Sequence, residues 1–575
     1  MRGVFRIFGI IFSLLTSSAQ AQKLNFDWAK SFGGDDFEAS RFMKVDTQGN
    51  VYLFGETTST YFKVDRKYLF KNSMPNVTKA YLFKYSKSGE LLWSKVLFND
   101  IGINIFGLDI DNEQNIILTG FFYGSFLNID SIKLKRTDIF NSNVFITKLS
   151  STGNIINHKI YSTLSSITPY GGITHDSKNH FYVAGCVDGN IYDQNNDTLF
   201  KRDRKDGKIL FIIKMDSQLN IQWIKSFGGK GDQIFDVICD QEDNLIVYGW
   251  YRFKTLFIDS LKVNNYTNRY DPAPGFEYGD NELFISKLDS NGKAIWLKTI
   301  SGSRDEYPSY DDITIDPYGN IYLGGLFKSD TLFFNENVKL IRTKNALDYF
   351  DLFYAKFDKN GDCKWAKKII NGNDLIDDMS IHLLKNGNLI ITGNYDSTAF
   401  KTGPVILPNN GHGDCFVLLS NNEGEILSGT SFGGEGLEWD QQIASYDTSI
   451  YIFAGFTSKE LKIRDEVLVD ETSIGDGLFI KLHIDSLTSL IEFKPASQNI
   501  MVYPNPVQDV LHFQYPKNES NLRYIIYDMY GRSVNSGTLY RSTRVINVEL
   551  IKAGVYFLYV LGEQGRSYNC KFVKM

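Results

Sequence analysis

A chain of 575 residues is too long for one ordinary compact core, so it requires several domains or a repeat architecture. Aromatic residues make up 14%, with 33 Tyr and 43 Phe, and 48 Gly accompany them; this balance favours many short strands and turns over helices. The net charge is −6 with Lys and Arg spread along the chain, which excludes the basic stripe that a nucleic-acid partner needs.

The chain opens on Arg2 and Arg6, then a short apolar run from Ile7 to Leu15, then Ala19-Gln20-Ala21. This order predicts a secretory signal peptide over 1–21, cut between Ala21 and Gln22. Loss of the two arginines would take the net charge from −6 to −8. The apolar run is too short to cross a bilayer, and no other membrane-spanning segment is expected. The five cysteines are odd in number and widely spaced. They predict neither a disulfide framework nor a zinc site, and read as small buried hydrophobes.

A repeat follows. Equivalent positions fall at Trp28, Trp93, His158, Trp223, Trp296, Trp365 and Ser428. A second marker is a glycine closing a β-rich run: Gly55, Gly120, Gly185, Gly249, Gly325, Gly393 and Gly455. In the fifth unit, strand a is Ile313 to Asp316, strand b Ile321 to Phe327, strand c Leu352 to Asp358 and strand d Cys363 to Ile369. Asp-x-x-Gly turns join a to b and c to d. Seven four-stranded units predict an all-β, seven-bladed β-propeller over 22–482. The N-terminal segment Phe26 to Phe32 matches strand d alone, and the last unit ends on strand c at Leu478 to Leu482. The first strand is therefore expected to close the last blade. The Gly in strand b is read as a contact between neighbouring blades. The recurring strand-c lysine (Lys84, Lys148, Lys214, Lys287, Lys356, Lys481) is read as a solvated, snorkelling edge.

The unit W-x-K-x-x-G-G … D-x-x-G-N-x-Y-x-x-G … F-x-x-K-x-D-x-x-G resembles the bacterial SBBP β-propeller repeat over roughly residues 26–482. That resemblance implies a fold and leaves function open.

Each unit is longer than an ordinary blade because an extra hairpin is inserted between strands b and c. Insertions on one face mark a candidate binding face. The longest, in the fourth unit, carries Tyr266, Tyr270, Phe276 and Tyr278, and the next d–a loop adds Asp305, Tyr307 and Tyr310. Aromatics beside acids suit an extracellular glycan or protein ligand. The alternative is an enzyme acting on an extracellular polymer at the central channel. No ligand-spaced His or Cys cluster and no catalytic motif occurs, so no catalytic residue, metal or cofactor is predicted. The propeller is expected to be monomeric. Asp-Ser/Thr-apolar triplets, such as Asp130-Ser131-Ile132 and Asp259-Ser260-Leu261, resemble a bacterial O-glycosylation signal and equally suit turn initiation.

Residues 483–499 read as a linker, and a new pattern of short alternating strands over 500–575 predicts a small β-sandwich. Its marks are Tyr503-Pro504-Asn505-Pro506, Asp528 with Gly531-Arg532, Gly554-Val555-Tyr556 and the terminal Lys571-Phe572-Val573-Lys574. These motifs, in this order, resemble the type A C-terminal sorting domain of the type IX secretion system. The resemblance implies that the secretion machinery is a partner and that the chain reaches the cell surface or the medium. It also implies a cut in the linker.

Overall fold

In the computed structural model the described residues are 23–575, save 66, 72–73, 125, 136–141, 164–166, 169–170, 194, 196, 202–208, 229–231, 267–277, 310–312, 344–349, 370–378, 397–398, 471, 473, 486–497, 500–501, 514–520, 529–532, 541–544, 550 and 562–566. The expected signal cleavage at Ala21 and Gln22 thus lies outside the described residues, as do Tyr270, Phe276, Tyr310 and Gly531. The described elements are all β-strands, in two compact units that divide after Asp485.

The first unit is a run of antiparallel sheets, each a meander of four strands. Sheet 1 orders Glu38–Val45, Val51–Thr57, Lys79–Tyr85 and Leu91–Phe98 from inside out. Six further sheets repeat this order, with innermost strands Gly102–Ile110, Ile173–His175, Gln233–Cys239, Ile313–Ile315, Met379–Leu383 and Glu438–Tyr446. Each innermost strand touches the next, and the last touches the first. All seven contribute to the lining of one cavity of about 260 Å³. Radial four-stranded sheets about a shared channel make the fold a β-propeller.

The seventh sheet takes its outer strand from the start of the chain. Lys23–Gly34 pairs antiparallel with Asp476–Asp485, from Lys23 opposite Asp485 to Phe32 opposite Gly477. Both strands outrun the expectation. The expected end at 482 moves to Asp485 because Asn25 sits opposite His483 and Lys23 opposite Asp485. At the other end of the expected linker, Gln498–Asn499 pairs in parallel with Tyr568–Asn569 and belongs to the second unit.

The a–b turns close on their own aspartates. Asp316 Oδ1 accepts Tyr318 N at 2.9 Å and Asn320 N at 2.8 Å, and Asp46, Asp111, Asp176 and Asp240 do the same in their sheets. The other carboxylate oxygen faces the strand-c lysine in four sheets, and for Lys84, Lys148, Lys214 and Lys287 the snorkelling reading is overturned. Lys148 Nζ lies 2.8 Å from Asp111 Oδ2 and Lys287 Nζ 2.7 Å from Asp240 Oδ2, with all four side chains buried. The same ammonium groups reach into the next sheet: Lys84 donates to Ser151 O at 2.9 Å, Lys148 to Ser217 O at 3.4 Å and Lys214 to Ser290 O at 3.0 Å. A row of buried charge pairs therefore stitches sheet to sheet.

The strand-d tryptophan docks on the same neighbouring turn. Trp93, Trp296 and Trp365 give their indole N–H to Ser151 O, Lys359 O and Asn422 O. The turn glycines Gly292 (φ +72°) and Gly424 (φ +73°) lie under the rings of Trp223 and Trp365, where a Cβ would stand 2.9 Å from the indole. The strand-b glycine serves a different contact from the one expected. At Gly55 a Cβ would overlap Ala39 O and the Tyr81 ring of its own sheet, so it accommodates the bulge in strand a rather than the next blade.

The b–c insertions are hairpins, such as Phe62–Val64 with Lys67–Phe70 and Phe126–Ile129 with Ile132–Lys135. They do not crown the face. Each of these two adds to the outer strand of the preceding sheet, Ile129 opposite Leu97 and Phe62 opposite Gly34. Phe62, Leu127, Ile129, Leu256, Leu332 and Leu461 are buried there, so the hairpins fill the seams at the rim. The triplet aspartates serve these turns: Asp130 (φ +50°) meets Lys95 Nζ at 2.6 Å, and Asp259 (φ +52°) accepts Ala294 N at 2.8 Å. All five cysteines are free thiols.

The second unit has one sheet with Asn521–Asp528, Ser533–Tyr540, Gly554–Leu561 and Ser567–Lys574, and another with Val502–Tyr503, Val510–Phe513 and Val545–Asn547. Val507, Leu511, Leu522, Ile526, Leu558 and Phe572 form its core.

Candidate functional site

The connections b–c and d–a open on one end of the propeller, and the described residues among those singled out in the sequence, Tyr266, Tyr278, Asp305 and Tyr307, lie there. Tyr266 is 58% exposed. Its amide donates to Glu282, and its ring lies 5.8 Å from Phe333. Asp305 Oδ1 accepts Asn281 N at 3.0 Å. Tyr307 is half-buried in the short strand Glu306–Tyr307, which pairs with Phe327 and Leu326. Tyr278 begins a strand opposite Phe253. Tyr266 and Tyr307 thus stand in different ring clusters, and no ring contact joins them among the described residues.

Around Tyr307, where sheets 4 and 5 meet, lies a cluster of rings and cations that sequence reasoning missed. Trp250 meets the Tyr307 ring edge-on at 6.4 Å, and Phe350 meets its other side at 5.7 Å. Arg252 lies over the Trp250 ring at 5.4 Å and donates Nε–H to Asn281 Oδ1 at 3.0 Å. Lys328 lies over Phe350 at 5.0 Å. Residues 250 and 252 share a side of one strand because side chains alternate. That spacing was a readable signal. The approach of Phe350 and Lys328 from the next sheet was not. Burial, then the Asp305 charge, raises the Tyr307 hydroxyl above its ordinary pKa. Two cations, three rings and an acid on a partly open surface suit ring stacking with polar recognition.

The opposite end of the channel, where the a–b turns lie, carries titratable groups. His175 Nδ1 is 2.6 Å from Asp109 Oδ2, and His382 Nε2 is 2.8 Å from Ser445 Oγ. Lys44, Asp109, Thr174 and His382 share the cavity lining. Burial disfavours the charged His175 ring, but the hydrogen bond and charge of Asp109 outweigh it and hold the pKa above the ordinary value. Burial, with the Lys44 charge behind it, lowers His382 to about 4. His382 is therefore neutral at pH 7 and His175 is poised to be charged. Among the described residues, no group of three or more His, Cys, Asp or Glu side chains is arranged to hold a metal.

In the second unit the quoted motifs meet one another. Asn505 Oδ1 accepts Val573 N at 2.8 Å, and Asn505 Nδ2 donates to Lys571 O at 3.1 Å. Val507 N donates to Val573 O at 2.8 Å, and Met575 N to Val507 O at 2.9 Å. One carboxamide thus replaces two ladder bonds and continues the edge pairing of the terminal strand. Phe572 is buried and stacks on Tyr556 at 5.7 Å, and the Tyr556 hydroxyl donates to Lys552 O at 2.7 Å. Gly554 opens the strand paired with the terminal one, opposite Lys574. Tyr503 remains 58% exposed and stacks on His512 at 5.5 Å, with Pro504 and Pro506 exposed beside it.

Comparisons with known proteins agree with this division. Residues 501–575 match the family described as a secretion system C-terminal sorting domain. The chain is 22% identical over 466 residues to an uncharacterized WD repeat-containing protein of Acanthamoeba polyphaga mimivirus; the match covers 71% of this chain and 33% of that protein. The chain therefore spans about a third of that relative's length. Among solved structures, the extracellular domain of a putative one component system from B. thetaiotaomicron is 12% identical, with a TM-score of 0.19 and coverage of 93% of this chain and 79% of that one. Phage phi92 endosialidase is 10% identical, with a TM-score of 0.35 and coverage of 96% and 87%. A Synechocystis apocarotenoid oxygenase mutant is 10% identical, with a TM-score of 0.37 and coverage of 80% and 94%. Likeness at that level carries no argument about activity. The ordered motifs, their mutual contacts and the family match make the C-terminal unit a type IX secretion sorting domain, and the chain an exported β-propeller protein of the cell surface or extracellular medium.

Proposed function

We propose that this is a surface-displayed or released binding protein of the adhesion type. Its seven sheets form one closed ring, and its ligand is an extracellular glycan or a surface protein. The observation that carries the reading is the cluster of Trp250, Arg252, Tyr307, Lys328 and Phe350 between sheets 4 and 5. Offset rings with cations over their faces present flat apolar area and fixed donors together, as sugar stacking requires. Tyr266, Tyr270, Phe276, Tyr278, Asp305 and Tyr310 belong to the loops that border this cluster in sequence. The signal peptide is cut at Ala21-Gln22, and the secretion machinery clips the sorting domain in the linker, about residues 484–500. The mature chain probed on a glycan and surface-protein array supplies the test. Trp250→Ala with Tyr307→Ala should weaken any captured ligand at least about tenfold, the loss of ~1.5 kcal/mol of ring contact. Undiminished capture by the folded double variant removes the cluster.

A second reading rests on the other end of the channel, where Asp109 and His382 line one cavity and are backed by His175 and Ser445. An enzyme acting on an extracellular polymer would place its general base among these groups. Turnover of a polysaccharide or peptide library that disappears in His382→Gln would favour it.

A further inference from the structure

Three glutamates begin strands on the inner side of strand b, each deep at a seam between two sheets: Glu38 and Glu438 open innermost strands, and Glu306 opens the short strand Glu306–Tyr307 just before one. Glu38, Glu306 and Glu438 are at most 1% exposed. Each accepts a serine hydroxyl from the loop after strand b of its own sheet: Ser59 at 2.6 Å for Glu38, Ser458 at 2.6 Å for Glu438, and Ser329 for Glu306. Each also feels the charge of a second buried carboxyl on strand c of the preceding sheet. These are Asp476 for Glu38 and Asp414 for Glu438, each the first residue of its strand, and Glu282, within Tyr278–Leu288, for Glu306. The sequence sign is a glycine at the end of strand d, four or five residues before the glutamate: Gly33-Gly34, Gly302 and Gly433-Gly434.

Those glycines are required by the carboxyls. A methyl at Gly33 would overlap the Asp476 carboxyl and stand 3.0 Å from Glu38 Oε2, so the two acids meet above that backbone. A methyl at Gly433 would overlap the Asp414 carboxyl. Glu306 Oε2 and Asp414 Oδ1 are buried and accept no hydrogen bond among the described residues. Two ionised carboxylates in such a buried space repel. One proton held between them removes one charge and supplies a donor.

We propose that these three couples are proton-held latches across the seams of the propeller. Each is closed by one shared proton and loosened when that proton leaves. The first couple lies at the closing seam itself, where Lys23–Gly34 joins the last sheet.

The surroundings favour the protonated form. Around Glu38 stand Asp476, Tyr81 and Lys79, with Arg41 and Glu56 paired to each other at 3.2 Å. Lys79 gives its protons to Ser59 O and Val77 O at 2.9 and 2.8 Å. Around Glu306 stand Glu282 and Asp305, and around Glu438 stands Asp414. Burial, with these acids behind it, raises all three glutamates above the ordinary 4.5, Glu438 to about 7. The folded state therefore holds protons that the unfolded chain has released. Stability falls as pH rises from 4.5 through the folded values.

The test is denaturant unfolding of the mature chain between about pH 5 and about pH 8, with the triple variant Glu38→Gln, Glu306→Gln, Glu438→Gln alongside. The wild-type midpoint should fall across the window, and the triple variant, which cannot ionise there, should lose most of that fall. A wild-type midpoint that is level or rising overturns the proposal, as does an equal fall in the folded triple variant. Should that variant not fold, the wild type decides by infrared spectroscopy and hydrogen exchange. A protonated-carboxyl C=O band at neutral pH that fades on alkalinisation, together with faster exchange in Lys23–Gly34, supports the latches. Absence of the band overturns them.

Discussion

Replacing Lys148 by Met separates a stitching charge from a snorkelling one. Lys148 Nζ is 2.8 Å from Asp111 Oδ2, and the two side chains are 6% and 0% exposed. It also donates to Ser217 O in the next sheet at 3.4 Å. Removing one member of a buried pair leaves the other charge without compensation and costs about 3–5 kcal/mol, whereas a solvated lysine would cost within ~0.5 kcal/mol. Tryptophan fluorescence in a urea titration of the mature chain is the assay. All seven tryptophans lie before residue 440, so the signal reports the propeller and not the sorting domain. Asp111→Asn on top of Lys148→Met should restore most of the loss, because the amide keeps an acceptor for the turn amides of Glu113 and Asn115 while removing the stranded charge. A Lys148→Met loss below about 1 kcal/mol would refute the stitching role. So would a double variant as unstable as the two single losses added together.

Two further outcomes follow from the same contacts. Gly292→Ala meets the Trp223 ring at 2.9 Å in a left-handed turn, whereas Gly387→Ala (φ +86°) meets nothing. The first should cost about 1–3 kcal/mol more than the second in the same titration, and equal losses would dismiss the docking of the indole. Asn505→Ala removes two hydrogen bonds from the terminal strand, about 2 kcal/mol of hold on Lys571–Val573. Cell fractionation should then find the chain retained in the periplasm with the propeller folded, and wild-type surface display would show that the clasp is dispensable.

The features legible in the sequence are those set by short-range chemistry. Asp316 closes its turn on Tyr318 and Asn320, two and four residues away, so Asp-Pro-Tyr-Gly-Asn announces the turn without help from the fold. Closure by the first strand was readable too, because an unmatched strand d at one end complements a missing one at the other. The motifs Tyr503 to Pro506 and Lys571 to Lys574 identified the sorting domain, but only the folded sandwich brings Asn505 against Val573, 68 residues away.

The cluster around Tyr307 was half legible. Tyr307 and Asp305 were named from their loop, and Tyr266 from the neighbouring insertion. Trp250, Arg252, Lys328 and Phe350 were missed because their partners lie on another sheet. The strand-c lysines show why. An alternating pattern tells which side of a strand a lysine takes, and a lysine so placed is ordinarily solvated. Whether it is buried depends on the carbonyl of a turn some 70 residues further on, such as Ser217 O for Lys148. The sequence by itself therefore determined the unit, its turns, its closure and its address, all carried by neighbours in the chain. Only the tertiary structure decided which charges are buried and which acids share a seam, because both depend on the dielectric and the partners that adjacent sheets bring.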